Sequence, residues 1–158
     1  MLSAVETDAV GAVARLLGTL DLSVCDGCDG CGLRCTEGVP MTSAEYEAIE
    51  AFVAGTVRPP MDWTRWDGAA GAWVDLGDGF GFRACRFRDV RSGRCGIYPV
   101  RPLVCRLMGY VPWMPCPIGR VATTVAPDCV LAALDEYCRA TRMPYAEWQV
   151  SNGSHGGN

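Results

Sequence analysis

The stretch at residues 25–35, CDGCDGCGLRC, places four cysteines in the spacing C-x2-C-x2-C-x3-C, and Asp and Gly fill most of the gaps. Apart from Leu33, the residues between the cysteines offer no apolar side chain, so burial alone cannot hold this segment in place. Disulfides, a zinc site, an iron–sulfur cluster and redox chemistry at the thiols would each explain such a run.

The cysteine content of the whole chain indicates metal binding, because the chain shows no export signal. Ten of 158 residues are cysteine. The first twenty residues lack a basic start and are interrupted by Glu6, Asp8 and Arg15, and no stretch approaches the ~20 apolar residues of a membrane span. We therefore expect a cytoplasmic protein without a membrane partner. Thiols stay reduced in that compartment, which favours metal ligation over the alternative of a disulfide-rich secreted protein.

Two residue types that are rare or absent in the chain limit the kinds of metal site and catalysis that it can support. The only histidine is His155, in the terminal sequence SNGSHGGN, and lysine is absent. This disfavours a Cys2His2 site and catalysis by a histidine base, so thiolates would hold a metal with carboxylate or water as supplements. A net charge of −4 gives no reason to expect a nucleic-acid partner.

The hydrophobic periodicity predicts helices with one small hairpin. Two predicted helices begin with a capping box: one at 3–20 with the box Ser3–Glu6, and one that runs from the box Thr42–Glu45 to Gly55. A hairpin is predicted at 72–76 and 80–87. The last predicted helix, at 127–141, has these inward residues: Val130, Leu131, Leu134 and Tyr137. We therefore expect an α+β fold: a small single domain, mostly helical, with long loops and a small antiparallel hairpin. It would span residues 1–150 around one or more cysteine-ligated metal sites, and 151–158 would form a disordered tail.

A second set of cysteines follows at regular intervals of nine, nine and ten intervening residues: Cys85, Cys95, Cys105 and Cys116. The candidate ligands are therefore Cys25, Cys28, Cys31, Cys35, Cys85, Cys95, Cys105 and Cys116. Eight thiols would fill two four-thiolate sites, or one cluster and one structural zinc. For Cys129 and Cys138, which lie nine residues apart on a predicted amphipathic helix, we expect core packing instead.

Seven arginines accompany these cysteines between residues 83 and 106. A divalent ion with four thiolates carries a formal charge of −2. We expect Arg101 and Arg106 to offset that charge and the other arginines to lie on a solvated face.

The ordered pattern resembles the YkgJ-type cysteine-cluster family, also described as the CxxCxxCC putative zinc- or iron-chelating domain. The resemblance rests on the cysteines of 25–31, the helix start MTSAEYEAIEAF, Cys85, CGIY at 95–98, RPLVCR at 101–106, and Cys116. The family has adjacent cysteines where this chain has Cys31-Gly32, and the next thiol comes at Cys35. The resemblance implies a metal-chelating function, and it moves the cysteines of the second set towards ligation.

The spacing of the first run also matches that of bacterial [4Fe–4S] ferredoxins, in which successive two-residue gaps cap separate corners of a cubane. It favours an iron–sulfur cluster, held by Cys25, Cys28 and Cys31 with Cys35 or a distant cysteine, over a single zinc. The corresponding functions are electron transfer or a structural role for the cluster, or a zinc-stabilised interaction or storage module with a protein partner. Related cysteine-cluster domains also occur in flagellin lysine methylases, which leaves a part in a methyl-transfer enzyme as a further alternative.

Overall fold

The structure, a computed structural model, describes residues 11, 14–25, 28, 30–31, 35–55, 73–88, 94–122 and 127–153. The helical elements are α1, described at residues 11 and 14–18, then α2 (Ser43–Gly55), α3 (Leu103–Arg106), α4 (Pro127–Arg139) and α5 (Tyr145–Gly153). The strands are β1 (Pro40–Thr42), β2 (Trp73–Gly77), β3 (Phe80–Arg83), β4 (Tyr110–Val111), β5 (Met114–Pro115) and β6 (Arg142–Pro144). Short 3-10 turns cover Leu22–Cys25 and Tyr98–Val100. The α+β class with short antiparallel strands is thus confirmed.

The strands pair two by two in the described residues, always antiparallel. β2 and β3 form the predicted hairpin, and its turn residues Gly77, Asp78 and Gly79 have φ angles of 91°, 52° and 78°. Glycine adopts this left-handed region without a steric penalty, and aspartate tolerates it, which explains the Gly-Asp-Gly turn. β1 pairs with β6, with Met41 opposite Met143, and so joins the start of α2 to the start of α5.

Helix α2 begins with the capping box that the sequence predicts. The Glu45 backbone N–H donates to Thr42 Oγ1 at 3.3 Å, and the Thr42 backbone N–H donates to Glu45 Oε2 at 2.8 Å. The two residues thereby satisfy each other's backbone donors at the helix start, where no carbonyl of the preceding turn is available. The corresponding box at Ser3–Glu6 lies outside the described residues.

The C-terminal third of the chain requires corrections to the sequence-based expectation. α4 matches the predicted helix and buries Val130 and Tyr137, but Leu131 is 54% exposed. After it comes α5, which the periodicity did not predict, with Tyr145 and Trp148 buried. This helix continues to Gly153, so residues 151–153 of the expected disordered tail are helical, while residues 154–158 lie outside the described part.

Two groups of buried residues form the core in the described part of the chain. The first packs α1, α3, β4 and α4 together through Leu16, Leu20, Cys25, Leu103, Leu107, Tyr110, Val111, Val130 and Tyr137. The second packs α2 against α5 and the segments around Phe87 and Ile97, through Met41, Tyr46, Ile49, Phe87, Ile97, Tyr145 and Trp148. Most of the cysteines lie between or beside these two groups.

None of the helices in the described residues has the length and apolar character that crossing a membrane requires.

Candidate metal centre

Six of the described cysteines line one cavity of about 110 Å³ between the two core groups: Cys28, Cys31, Cys35, Cys85, Cys95 and Cys105. Its other walls are mainly apolar and include Met41, Phe87, Ile97 and Val104. A cavity of this size between thiols is larger than a single missing side-chain methyl group. The structure thus brings together cysteines that lie up to 77 positions apart in the sequence.

Cys35 is held beside Cys85 and not beside Cys31. The Cys85 backbone N–H donates to the Cys35 carbonyl at 3.0 Å, and the Glu37 N–H donates to the Arg83 carbonyl at 2.8 Å. Residues 35–37 therefore extend the β2–β3 hairpin as a further antiparallel segment, with Thr36 opposite Ala84. The neighbouring Cys85 side chain lowers the pKa of Cys35, and Cys35 in turn raises the pKa of Cys85.

Cys95 and Cys105 reach the same region from two other segments. Cys95 forms a bridge with Arg88, and the Gly96 N–H donates to the Phe87 carbonyl at 2.7 Å. Cys105 lies on the short helix α3, whose first N–H, that of Leu103, donates to Glu45 Oε1 at 2.7 Å. We refer to Cys35, Cys85, Cys95 and Cys105 below as the inner thiol group.

Cys116 approaches the first cysteine run from the other side. At Gly30 an added Cβ would lie 2.8 Å from Ile118 Cδ1, and at Gly109 it would lie 3.3 Å from the Cys116 Cβ. Ile118, in the loop that carries Cys116, therefore packs closely on Gly30 of the cysteine run. Burial raises the pKa of Cys31, and the nearby thiols of Cys25, Cys116 and Cys28 raise it further.

We refer to Cys25, Cys28, Cys31 and Cys116 below as the outer thiol group. Its member Cys25 is buried beside Tyr110, whose hydroxyl lies 3.7 Å from the Cys25 sulfur, and Tyr98 donates to the Cys25 carbonyl at 2.9 Å. The two tyrosines fix the end of the turn from which the cysteine run departs. Tyr110 is a residue that the sequence reasoning missed, because nothing in the spacing links it to Cys25.

Backbone N–H groups point at several of the sulfurs. The Phe87 N–H donates to Cys85 Sγ at 3.4 Å and the Arg120 N–H to Cys116 Sγ at 3.3 Å, while Ile97 supplies the equivalent bond to Cys95. Burial opposes ionisation of Cys116, but N–H groups of residues 118–121 outweigh it and lower the pKa of this thiol. Such N–H···S bonds stabilise thiolates and accompany thiolate ligands at metal sites.

Arg101 is the cation that the two thiol groups share. It is 9% exposed, its Cζ lies 3.7 Å from the centre of the Tyr98 ring, and its Nε donates to the Tyr98 carbonyl at 3.2 Å. Burial raises the pKa of Cys95 to about 11 and that of Cys105 to about 12, and the positive charge of Arg101 opposes the rise at both. Arg101 also opposes the rise at Cys31 and helps the Cys85 side chain to lower the pKa of Cys35.

Arg106 donates to the carbonyls of Arg101 and Pro99; burial lowers the pKa of Arg106, and the nearby Glu45 and Cys105 oppose this.

Arg88 differs from what the sequence analysis assigned to it. Arg88, which we expected on a solvated face, has a buried Nε without a hydrogen-bond partner in the described part of the chain, and its charge helps to lower the pKa of Cys35. A buried guanidinium atom without an acceptor fits a nearby anionic group such as a metal thiolate.

The thiols line a common region, but they are not close enough to one another to form a coordination shell. None of the nine described cysteines forms a disulfide, and within the described residues no three His, Cys, Asp or Glu side chains are grouped closely enough to hold a metal ion. The donor set nevertheless fits a thiophilic metal, because it combines thiols, N–H donors to sulfur and buried cations.

The two remaining cysteines lie on α4. Cys138 is exposed, which contradicts the expected core packing, and the side chain of Cys129 lies outside the described part. A spacing of nine residues equals two and a half helical turns, so these two positions face opposite sides of a helix and cannot both enter one core.

Comparison with known proteins supports a metal-chelating role. The model of the CxxCxxCC family, described as a putative zinc- or iron-chelating domain, matches residues 25–139. Neither the curated proteins nor the solved structures include a significant match to the chain. The matched segment contains both thiol groups and more than half of the chain. The chain therefore belongs to the CxxCxxCC family of putative zinc- or iron-chelating domains.

Proposed function

We propose that the protein carries an iron–sulfur cluster of the [4Fe–4S] type on the outer thiol group. The observation that supports this proposal best is the packing of the Cys116 loop on the cysteine run, because it supplies the distant fourth thiol that the run itself lacks. The spacing of Cys25, Cys28 and Cys31 is the one that wraps a cubane in ferredoxins. With Cys116 as the fourth ligand, the cluster does not need Cys35, which lies beside Cys85 and away from the cysteine run.

Electron transfer is the role that the outer thiol group favours. Cys28, Cys31 and Cys116 are partly exposed, and the neighbouring Ile118 is 54% exposed. A cluster near the surface can exchange electrons with a protein partner that approaches this side. We place the protein in the cytoplasm, where reduced thiols persist, and treat residues 1–150 as one metal-binding domain.

Metal analysis of protein never exposed to air tests this proposal. We expect about four iron and four sulfide per outer thiol group, together with the brown colour and visible absorption of a cluster. A colourless protein with stoichiometric zinc and no iron or sulfide would contradict it, and would instead support the zinc-stabilised interaction or storage module.

Replacing Cys116 tests the fourth ligand. We expect Cys116→Ser to lower cluster iron at least about tenfold, because a hydroxyl does not replace a thiolate ligand of iron. Cys138→Ser is the matched control, since Cys138 is exposed on α4, and it should leave the iron content unchanged. Equal iron in both variants, measured together with sulfide after anaerobic purification, would show that Cys116 is not a ligand.

Replacing Arg101 tests the charge compensation between the two thiol groups. Arg101→Gln should weaken metal binding by about 10–100-fold, the range for partners that support a metal site without touching the metal. Arg101→Lys keeps the charge and should lose less metal affinity. Arg139→Gln, at an exposed position, should lose no metal affinity. Chelator competition on anaerobic protein measures all three, and equal affinities for the Arg101→Gln variant and wild-type protein would rule out this role.

A further inference from the structure

A second cavity, of about 170 Å³, lies where α1, α2, α3 and α4 meet, and none of the cysteines that the structure describes lines it. Its apolar wall includes Leu17 of α1, Ala48 of α2 and Leu103 of α3. The volume exceeds the ~10–15 Å³ that one water molecule requires and stays below the ~300–1,000 Å³ of pockets for drug-sized ligands. The cavity therefore has room for a small organic molecule.

Two arginines supply the positive charge of this cavity. Arg101 is 9% exposed and lines both this cavity and the thiol-lined one, while Arg106 is partly buried. Arg101 donates through Nε to the Tyr98 carbonyl, and Arg106 donates to the carbonyls of Arg101 and Pro99. Each guanidinium carries five N–H groups, so these carbonyls engage only a minority of them. In the described part of the chain, neither arginine forms an ion pair with a carboxylate.

Glu45 is the carboxylate that lines the cavity, and its two oxygens are already engaged. Oε1 accepts from the Leu103 N–H at 2.7 Å, and Oε2 accepts from the Thr42 N–H at 2.8 Å and from the Tyr137 hydroxyl at 2.7 Å. These bonds hold the helices together and direct the carboxylate away from the two guanidinium groups. Among the described lining residues, the cavity therefore has an excess of one positive charge.

The charge and the walls of the cavity indicate which kind of ligand would bind. Burial lowers the pKa of Arg106 and the charge of Arg101 lowers it further, so an anion beside both would relieve their repulsion. A guanidinium pairs with a planar carboxylate through two parallel hydrogen bonds, and the apolar wall suits a short hydrocarbon body. Ala48 is exposed and Arg106 is partly exposed, which gives such a ligand access from solvent.

We propose that this cavity binds a small organic anion, a carboxylate on a short hydrocarbon chain, whose charged end pairs with Arg101 and Arg106. The inference goes beyond the proposed function. It does not depend on which metal the cysteines hold, because the site contains none of the described cysteines.

Binding of butyrate to the full-length protein tests this site. Butylamine and butanol are matched probes that carry a positive charge or no charge on the same chain, and inorganic phosphate is an anion without a hydrocarbon body. In calorimetry and saturation-transfer NMR on anaerobically purified protein, butyrate should bind with a Kd of about 10 mM or below and more tightly than all three. A Kd for butyrate above about 10 mM, or butyrate binding no tighter than that of any of the three probes, would overturn the inference.

Two variants assign the binding to this cavity. Arg106→Gln should weaken butyrate binding at least about tenfold, because it removes a charge-assisted pair, whereas Arg139→Gln, at an exposed position on α4, should not. Ala48→Leu fills the cavity without removing a charge and should also weaken binding at least about tenfold. Its matched control is Ala51→Leu, at an exposed position on the same helix that is not part of the cavity wall, which should bind butyrate like wild-type protein.

Circular dichroism verifies the fold of each variant. Because Ala48 is exposed, Ala48→Leu keeps the test valid where Arg106→Gln fails to fold. Unchanged butyrate affinity in Ala48→Leu, or in a folded Arg106→Gln variant, would show that the carboxylate binds elsewhere and would refute the site.

Discussion

Removing the metal from protein kept under anaerobic conditions should lower its thermal midpoint by about 10 °C or more. Metal that binds only the folded chain contributes its binding free energy to stability, about 4 kcal/mol at a thousandfold excess over Kd, and each kcal/mol shifts the midpoint of a chain of this size by about 2–4 °C. The effect is large here because the residues between Cys25 and Cys35 contain only Leu33 as an apolar anchor. Without metal, the cysteine run is held by the packing of Gly30 on Ile118 and by the hydrogen bond from Tyr98 to the Cys25 carbonyl.

Thermal unfolding followed by circular dichroism, before and after dialysis against a chelator, measures this shift. A reductant must be present throughout, because Cys35 and Cys85 lie close enough to oxidise to a disulfide and thereby restore stability by another route. Cys138→Ser removes the exposed thiol and prevents cross-linking between molecules. Restoration of the midpoint by added metal completes the control, whereas an unchanged midpoint after verified metal removal would show that metal and fold are independent.

The parts of the fold that depend on local sequence could be predicted. The Gly-Asp-Gly turn at 77–79 requires left-handed backbone, and the Thr42–Glu45 box marks the first turn of α2, so both follow from residue chemistry over four positions or fewer. The same reasoning predicted α4, because its apolar positions repeat with the helical period. α5 escaped prediction because its sequence, YAEWQVSNG, is short, buries only Tyr145 and Trp148, and continues into a polar, glycine-rich end.

The grouping of the cysteines could not be predicted, because it depends on pairing between distant segments. Sequence spacing alone places Cys35 with Cys31, four positions away, but the bridge between Thr36 and Ala84 takes it to Cys85. Nothing in the sequence indicates this bridge, since either strand could pair elsewhere. The family resemblance pointed to these eight thiols as a set, and the backbone pairing places Cys35 beside Cys85.

Arg88 shows that the sequence also does not predict which charged residues enter the site. In the sequence it is one of seven arginines in a basic stretch, and such stretches usually lie on solvated faces. In the structure Arg88 forms a backbone bridge with Cys95, its Nε is buried, and its charge helps to lower the pKa of Cys35. The sequence therefore indicated how many cations accompany the thiols but not which of them enter the site.

Glu45 connects α2 to α4 and to α3, the helix that carries Cys105, and its loss should be the most destabilising single change outside the cysteines. Besides Thr42, its carboxylate accepts hydrogen bonds from the Leu103 backbone N–H at 2.7 Å and from the Tyr137 hydroxyl at 2.7 Å. It therefore ties α2 to α3 and α4. Burial raises the pKa of Tyr137 and the Glu45 charge raises it further, so this phenol stays a proton donor and requires its acceptor.

Glu45→Ala should cost about 3 kcal/mol or more, because it leaves the Leu103 N–H without an acceptor and the buried Tyr137 hydroxyl with only the Pro40 carbonyl, at 3.5 Å. Glu45→Gln keeps one carbonyl oxygen and should cost less. Glu47→Ala, an exposed position on the same helix, should change the free energy of unfolding by less than about 0.5 kcal/mol. Urea unfolding under anaerobic conditions measures all three. Leu103 lies two residues before Cys105, so Glu45→Ala should also weaken metal binding, while Glu47→Ala should not. Equal stabilities for the Glu45→Ala and Glu47→Ala variants would show that the carboxylate does not hold these helices together.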